Sequence, residues 1–156
     1  MPETGKLWVL ADNNTLIDRY FLGEPAASYY LELDGLRILL DTGYSDVFLQ
    51  NAEKLGIDLG QLTHIILSHG HNDHTNGLAL LAERFDLSGV HLIAHPRCLL
   101  PRWYGEAYIG PPEDGAVPAA CDYCPSGEPV WLSEHCVFLG EIPAVHAFEQ
   151  RRPLGR

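Results

Sequence analysis

Basic residues are scarce in this sequence. Its 156 residues include 10 lysines and arginines against 21 aspartates and glutamates, which gives a formal net charge of −11 at pH 7. A chain with so few cations offers no basic surface to offset the repulsion of a phosphate backbone, which argues against nucleic acid as a general partner. The charge balance does not exclude a small phosphorylated substrate.

Long apolar runs are also missing. No stretch approaches the ~20 consecutive apolar residues that a membrane-spanning helix needs. The opening residues Met1 to Lys6 carry no apolar core of the kind that a secretion signal has. Both absences favour a cytoplasmic protein without a membrane partner. The four cysteines are then expected to be thiols rather than disulfides.

One short stretch is rich in histidine. Residues 67–77 read Leu-Ser-His-Gly-His-Asn-Asp-His-Thr-Asn-Gly, and the side chains of interest there are His69, His71, Asp73 and His74. A packed core has little use for such a cluster, because each buried imidazole needs hydrogen-bond partners. Neutral imidazole and carboxylate are ligands that suit Zn, Fe, Mn or Ni rather than Ca. The cluster therefore predicts a divalent metal site.

The spacing predicts how these side chains divide. Beyond a short buried strand, an extended chain would project His69, His71 and Asp73 to one side, and Gly70 would let the backbone approach a metal or substrate closely. A turn at Asp73 and His74 would swing the last histidine away from the first two. We therefore expect two half-sites, with His69 and His71 on one metal and Asp73 and His74 on a neighbour. Two neighbouring metals lower the pKa of a bridging water, so that a hydroxide nucleophile exists at neutral pH.

The cluster and its flanks resemble a known family. Residues 69–74, His-Gly-His-Asn-Asp-His, resemble the His-x-His-x-Asp-His signature of the metallo-β-lactamase superfamily of metallohydrolases. The Leu-Leu-Asp-Thr-Gly of residues 39–43 resembles the strand-end Asp-Thr-Gly of that superfamily, and residues 75–78 resemble the start of its following helix. Residues 25–81, and later residues 137–143, are similar to one branch, the dihydropterin-type phosphate synthases related to methanopterin biosynthesis.

The resemblance implies a role for each residue. His69, His71 and His74 would be metal ligands, and Asp73 would be both a ligand and the catalytic residue that orients the attacking water. Asp41 would hydrogen-bond near the ligands rather than coordinate, which orients a histidine and raises its basicity. The implied cofactor is one or two divalent ions, with zinc preferred and iron or manganese as alternatives.

The flanking pattern predicts an α/β fold. Asp34-Gly35 between two apolar runs is typical of a two-residue β-hairpin turn. Ser45 is the expected N-cap of the first helix, and Gly56 is its expected stop. Strands are expected at 6–10, 28–33, 36–41, 63–68 and 90–94, and helices at 45–55 and 76–85. By the resemblance, this order is the N-terminal half of an αββα metallo-β-lactamase-like sandwich with the site at the strand ends.

The pattern weakens after residue 95. Residues 101–129 are rich in proline and glycine and read as a long loop, which could form a lid over the site. A closing hairpin is expected around Glu134 and His135. Three histidines beside the predicted strands are expected to serve packing rather than metal binding, and these are His64, His91 and His95.

Cys121 and Cys124 form a C-x-x-C pair within the predicted loop. A structural zinc site needs four ligands, so Cys98 or Cys136 would have to join them. Incidental thiols are the favoured interpretation, and the role of the pair stays open.

We expect a single domain over residues 1–156, with a well-matched core at 1–95 and a loop-rich segment at 96–156. Superfamily members normally have a second half, which supplies another histidine, a bridging carboxylate and a final histidine. Segments such as Gly-Cys-Ser-His and Gly-Gly-Phe-His-Leu, which carry them in the resembling branch, do not occur here. The expectation is a truncated chain that binds metal weakly and exposes an apolar sheet face, which would favour self-association.

Two functions stay open. The first is a hydrolase, or a synthase-like relative, that uses a metal-bound hydroxide on a small substrate of phosphorylated or ester type. The second is a truncated, non-catalytic metal-binding or interaction domain, which the missing second half favours and the intact motif disfavours. The expected partners are a small-molecule substrate and further copies of the chain.

Overall fold

A six-stranded sheet forms the centre of the protein, in a computed structural model that describes residues 5–16, 18–113, 119–149 and 155. The strands are β1 (Lys6–Ala11), β2 (Ser28–Leu33), β3 (Leu36–Leu40), β4 (His64–Ile66), β5 (His91–Ala94), β6 (Trp103–Tyr104), β7 (Ala107–Tyr108), β8 (Asp122–Pro125), β9 (Val130–Trp131) and β10 (Val137–Phe138). The large sheet has the order β1-β2-β3-β4-β5-β8. Its first three strands are antiparallel, and β3, β4, β5 and β8 are parallel neighbours. This mixed, parallel-rich sheet confirms the predicted α/β class.

The β2–β3 hairpin turns at the predicted dipeptide. Asp34 and Gly35 have φ angles of 52° and 77°, which place both in the left-handed region. A turn of this kind matches the twist of the strands it joins, and aspartate and glycine tolerate it better than other residues. Strand β3 therefore runs in register beside β2, and Asp41 directly follows the carboxyl-terminal end of β3.

The helices are α1 (Val47–Leu55), α2 (Asn72–Thr75) and α3 (Gly77–Arg84), and a 3₁₀ turn occupies Leu59–Gln61. Helix α1 ends at Gly56 as predicted, with a left-handed φ of 72°. Its N-cap is Asp46 rather than the predicted Ser45. The Ser45 hydroxyl donates to the Glu24 carboxylate at 2.6 Å and accepts from the N–H of Val47, the first residue of α1, at 3.4 Å.

The chain after β4 differs from its predicted course. His71 is extended, with φ −80° and ψ 151°, but α2 begins at Asn72. Asp73 therefore lies in the first turn of a helix and does not continue the strand. Because Asn76 is also helical, with φ −62° and ψ −33°, α2 leads almost directly into α3.

The main hydrophobic core lies on the face of the sheet that the helices cover. Leu39, Ile65 and Leu92 are neighbours in register on this face and are fully buried. Residues one position away point to the opposite face, because side chains alternate along a strand. Ile38 and Ile93 on that face are also buried. The predicted exposure of an apolar face is therefore wrong at these two positions.

The predicted loop at residues 101–129 contains more structure than expected. Strands β6 and β7 pair as a small hairpin within it, and β8 joins the large sheet as a parallel edge strand. The closing hairpin is confirmed as the antiparallel pair β9 and β10. Residues 114–118 of the predicted loop, and most of the Arg-Arg-Pro-Leu-Gly-Arg tail, lie outside the described residues.

Among the described residues, the longest apolar helical stretch is too short to cross a membrane.

Candidate metal centre

The polar cluster lies where two parallel strands end. Strands β3 and β4 run side by side in the same direction. The residues that follow them therefore lie close together, at the carboxyl-terminal ends of these strands. Asp41 follows β3, and its backbone N–H donates to the carbonyl oxygen of Ile66 at 2.8 Å. Ser68 and His69 follow β4. The hydrogen-bond register of the sheet thus brings Asp41 to the start of the histidine motif.

Three of the predicted ligands converge on one position. One ligand atom each from His69, His71 and Asp73 lies within 4.8 Å of the others. The ring of His74 is close as well, since its centroid is 4.1 Å from that of His69 and its Nε2 is 3.4 Å from Oδ2 of Asp73. This grouping is compact enough for one metal or for two neighbouring metals, so the division of the ligands into two half-sites stays a prediction. Asp73 lies near the first two histidines as well as near His74, because α2 begins at Asn72.

Asp41 is a buried hub of hydrogen bonds beside the cluster. Its Oδ1 accepts from the Ser68 backbone N–H at 2.8 Å, and its Oδ2 accepts from the Ser68 hydroxyl at 2.6 Å and from His74 Nδ1 at 2.8 Å. Its own φ of 56° is left-handed, a conformation that aspartate tolerates better than most residues. Asp41 is not part of the converging group, in keeping with the supporting role that the resemblance implies.

Ser68 links Asp41 to a second histidine, and nothing in the sequence pattern singles it out. Its hydroxyl donates to Asp41, so it can only accept from His69 Nδ1, which is 2.9 Å away. In their neutral forms, His69 and His74 therefore both carry their proton on Nδ1. Each ring then presents the lone pair of Nε2, which is the form that binds a metal.

The surroundings shift the pKa values of these two rings in opposite directions. The hydrogen bond to the Asp41 carboxylate raises the pKa of His74 above its usual value, with partial burial opposing it. Burial lowers the pKa of His69, and the neighbouring rings of His74 and His71 lower it further. A low pKa keeps His69 neutral and able to donate its lone pair.

The Asp41-Thr42-Gly43 turn packs directly against α2 and α3. The backbone N–H and the hydroxyl of Thr42 both donate to the carbonyl oxygen of His74, at 2.8 and 3.1 Å. A Cβ atom at Gly77 would lie only 2.0 Å from the carbonyl oxygen of Thr42. The turn therefore needs glycine at position 77 to approach the helix this closely.

Gly70 has a packing role that the sequence does not predict. A Cβ atom at this position would lie 1.8 Å from the carbonyl oxygen of Cys98. The missing side chain therefore admits the backbone that follows β5, and a close approach to a metal or a substrate stays a prediction. The β6–β7 hairpin also reaches the motif, since the N–H of Asn72 donates to the carbonyl oxygen of Ile109 at 3.0 Å.

The histidines late in the chain are engaged away from the cluster. Nδ1 of His135 is 3.1 Å from Oδ2 of Asp34, at the β2–β3 turn. The ring of His146 stacks on Phe148, with centroids 5.3 Å apart. Neither residue belongs to the converging group.

The donor set of the cluster fits a divalent transition metal. Imidazole and carboxylate are ligands for Zn, Fe, Mn or Ni. In the neutral form of His69 and of His74, the ring nitrogen that faces away from Ser68 or Asp41 is the unprotonated one. Protonated rings held by these bonds would repel a cation, whereas neutral rings with fixed Nδ1–H groups are ready to bind one.

Comparison with known proteins agrees with this geometry. The sequence model of the metallo-beta-lactamase superfamily matches residues 22–141. An uncharacterized protein of Methanocaldococcus jannaschii is 29% identical over 143 residues, which cover 90% of this chain and 55% of that protein. The 7,8-dihydropterin-6-methyl-4-(beta-D-ribofuranosyl)-aminobenzene-5'-phosphate synthase of the same organism is 31% identical over 96 residues, which cover 58% of this chain and 32% of the synthase.

A solved structure also supports membership of this superfamily. The crystal structure of a metal-dependent hydrolase of the beta-lactamase superfamily matches with a TM-score of 0.69 and 29% identity, over 96% of this chain and 57% of that protein. The chain therefore spans little more than half the length of this hydrolase and of the uncharacterized relative. The predicted family resemblance and fold are confirmed.

Proposed function

We propose that this chain, which belongs to the metallo-β-lactamase superfamily, is a metal-dependent hydrolase whose metal is held by His69, His71, Asp73 and His74. The observation that carries the proposal is the convergence of ligand atoms from His69, His71 and Asp73 within 4.8 Å. The match to a protein described as a metal-dependent hydrolase supports the same reaction class.

Each residue has a task in this proposal. A bound divalent ion would lower the pKa of water, so that a nucleophile forms at neutral pH. Asp73 is the proposed catalytic residue, because its carboxylate can accept a proton and orient a water beside the histidines. Asp41 and Ser68 hold His74 and His69 in the tautomer that presents Nε2. Zinc is the proposed metal on the chemistry of the donors, with iron or manganese as alternatives.

The proposed substrate is a small molecule of phosphorylated or ester type. The net charge of −11 disfavours long polyanions such as nucleic acid. A local metal centre can still bind one phosphate or one ester carbonyl. The relative named as a phosphate synthase supports a phosphorylated molecule. All four cysteines are free thiols, and we therefore also propose a reducing compartment such as the cytoplasm.

A second candidate function is a non-catalytic metal-binding domain. The positions of His135 and His146 favour it, because neither later histidine adds a ligand to the cluster in the described residues. In that case the chain would bind a metal without catalysing a reaction, because the cluster would lack the further ligands of a complete site.

A hydrolysis screen separates the two candidates. Metal-loaded protein is assayed on chromogenic phosphomonoesters, phosphodiesters and carboxylic esters, beside His71→Ala and the control His146→Ala. We expect turnover that falls by on the order of 100-fold in His71→Ala and is unchanged in His146→Ala. Metal-loaded protein without turnover on any of these esters would favour the non-catalytic candidate.

A further inference from the structure

A second group of metal-ligating side chains lies at the opposite ends of the parallel strands. His64, His91 and Asp122 are the first residues of β4, β5 and β8, and they are direct neighbours in register. The first cluster follows the last residues of β3 and β4. The two groups are therefore separated by the length of the strands.

Cys124 belongs to this second group because of its place on β8. It lies two residues after Asp122, so both side chains project from the same face of the strand. Residues on this face are one position away from Leu92, which belongs to the main core. Nδ1 of His91 is 2.8 Å from Oδ2 of Asp122. One ligand atom from each of His91, Asp122 and Cys124 lies within 4.8 Å of the others.

We propose that His91, Asp122 and Cys124 form a second divalent metal site, suited to zinc, on the sheet face opposite the helices. Thiolate, imidazole and carboxylate are the three ligand types that zinc accepts in proteins. Three protein ligands leave one position for water or for a further side chain. His64 is the nearest candidate, since its ring centroid is 5.1 Å from that of His91.

A plain ion pair explains only part of this arrangement. His91 and Asp122 are exposed, and an exposed pair contributes little to stability. The thiol of Cys124 donates to the carbonyl oxygen of Asp122 at 3.5 Å, and in its deprotonated form it is a ligand that zinc accepts.

The C-x-x-C pair does not act as a unit in this site. Cys121 packs against the hydrophobic core, whereas Cys124 is exposed on the other side of the sheet. The two thiols therefore lie in different environments, one against the core and one exposed to solvent. Cys121 provides a matched control for any effect of replacing Cys124.

Cobalt titration tests the second site, because Co²⁺ occupies zinc sites and a bound thiolate gives it a charge-transfer band in the near ultraviolet. The converging group of the first site contains no cysteine, so the band reports on the second site alone. We expect one saturating thiolate signal per chain. The band should persist when both His69 and His71 are replaced by alanine, and in Cys121→Ser. It should vanish in Cys124→Ser, and cobalt should bind at least ~10-fold more weakly to His91→Ala.

Three results would overturn this proposal: no thiolate band in the wild-type chain, a band that survives in Cys124→Ser, or a band that disappears equally in Cys121→Ser. Circular dichroism of each variant confirms that loss of the band does not come from unfolding. A negative result for the second site would not contradict the proposed function of the first cluster, because the two sites share no residue.

Discussion

Asp41 influences the metal cluster through hydrogen bonds, and these bonds can be removed with a small change. Its two carboxylate oxygens together accept from Ser68 and His74. An asparagine at this position keeps the left-handed backbone conformation accessible. It loses the negative charge that favours the Nδ1–H form of His74.

For Asp41→Asn we predict a metal affinity reduced by ~10- to 100-fold, because an uncharged amide holds the His74 ring less firmly. Competition with a chromophoric chelator measures the affinity. Asp46→Asn is the matched control, since Asp46 is exposed at the start of α1 and bonds only to that helix. Equal affinities in wild type and Asp41→Asn would contradict the supporting role of Asp41.

The sequence predicts the candidate ligands but not all of their support. His69, His71, Asp73, His74 and Asp41 follow from the motif and from the family resemblance. Ser68 does not, because serine is a common residue whose importance depends on which way its hydroxyl donates. That direction is fixed only when β3 and β4 lie side by side and bring Asp41 within 2.6 Å.

The four thiols should differ in reactivity. Cys98 is 3% exposed, and burial raises its pKa to about 12. It therefore stays protonated at neutral and mildly alkaline pH, and thiolate is the reactive form. We predict that, in metal-free protein, Cys98 reacts with iodoacetamide at pH 8 at least ~10-fold more slowly than exposed Cys124, as peptide mass spectrometry can measure. Equal labelling rates in the folded protein would contradict the buried position of Cys98.

At the scale of elements, the close packing of the Asp41-Thr42-Gly43 turn on α3 depends on Gly77. A Cβ atom there would meet the carbonyl oxygen of Thr42 at 2.0 Å and the ring of Phe48 at 2.6 Å. Neither neighbour can yield without moving the turn or the core. We predict that Gly77→Ala lowers the free energy of unfolding by about 1–3 kcal/mol.

Denaturation by urea measures this loss. Gly127→Ala is the matched control, because its nearest neighbour would be the His95 ring at 3.8 Å, an ordinary contact. A loss of stability in Gly127→Ala as large as that in Gly77→Ala would show that the Thr42 contact is not the cause.

Elements with local signals are predictable, and those that depend on distant partners are not. The β2–β3 hairpin and the Gly56 helix end were expected from residues beside them, and both are confirmed. Strand β8 could not be found this way. It lies in a stretch rich in proline and glycine, and its partner β5 lies about 30 residues earlier, a separation typical of a parallel crossover connection. The start of α2 at Asn72 cannot be predicted from the motif, because the metal-site spacing also fits an extended chain.

At the scale of the whole molecule, the second face of the sheet has an apolar side and a polar side. One row across it runs from Leu7 through Leu31 and Ile38 to His64, His91 and Asp122. The apolar side ends at β1, an edge strand on which Leu7 and Val9 are exposed. Edge strands with exposed apolar residues favour pairing between chains.

We therefore predict that the chain associates with further copies through this edge, and that Val9→Lys weakens the association. A lysine at an edge position opposes strand pairing through its charge and hydration. Sedimentation velocity over a range of concentrations measures the association. Val145→Lys is the matched control, because Val145 is 72% exposed and Val9 is 52% exposed. Wild-type protein that stays monomeric throughout, or equal effects of both lysines, would contradict this interface.

The central claim is that the cluster of His69, His71, Asp73 and His74 binds a divalent metal. The most direct test is the metal content per chain, measured by elemental analysis together with the particle mass. The Cys124→Ser variant is used as the starting protein, so that the second site does not contribute. We predict at least one ion per chain, lost when His69 and His71 are both replaced by alanine. A particle of defined mass without metal, or a content unchanged by the two alanines, would contradict the claim.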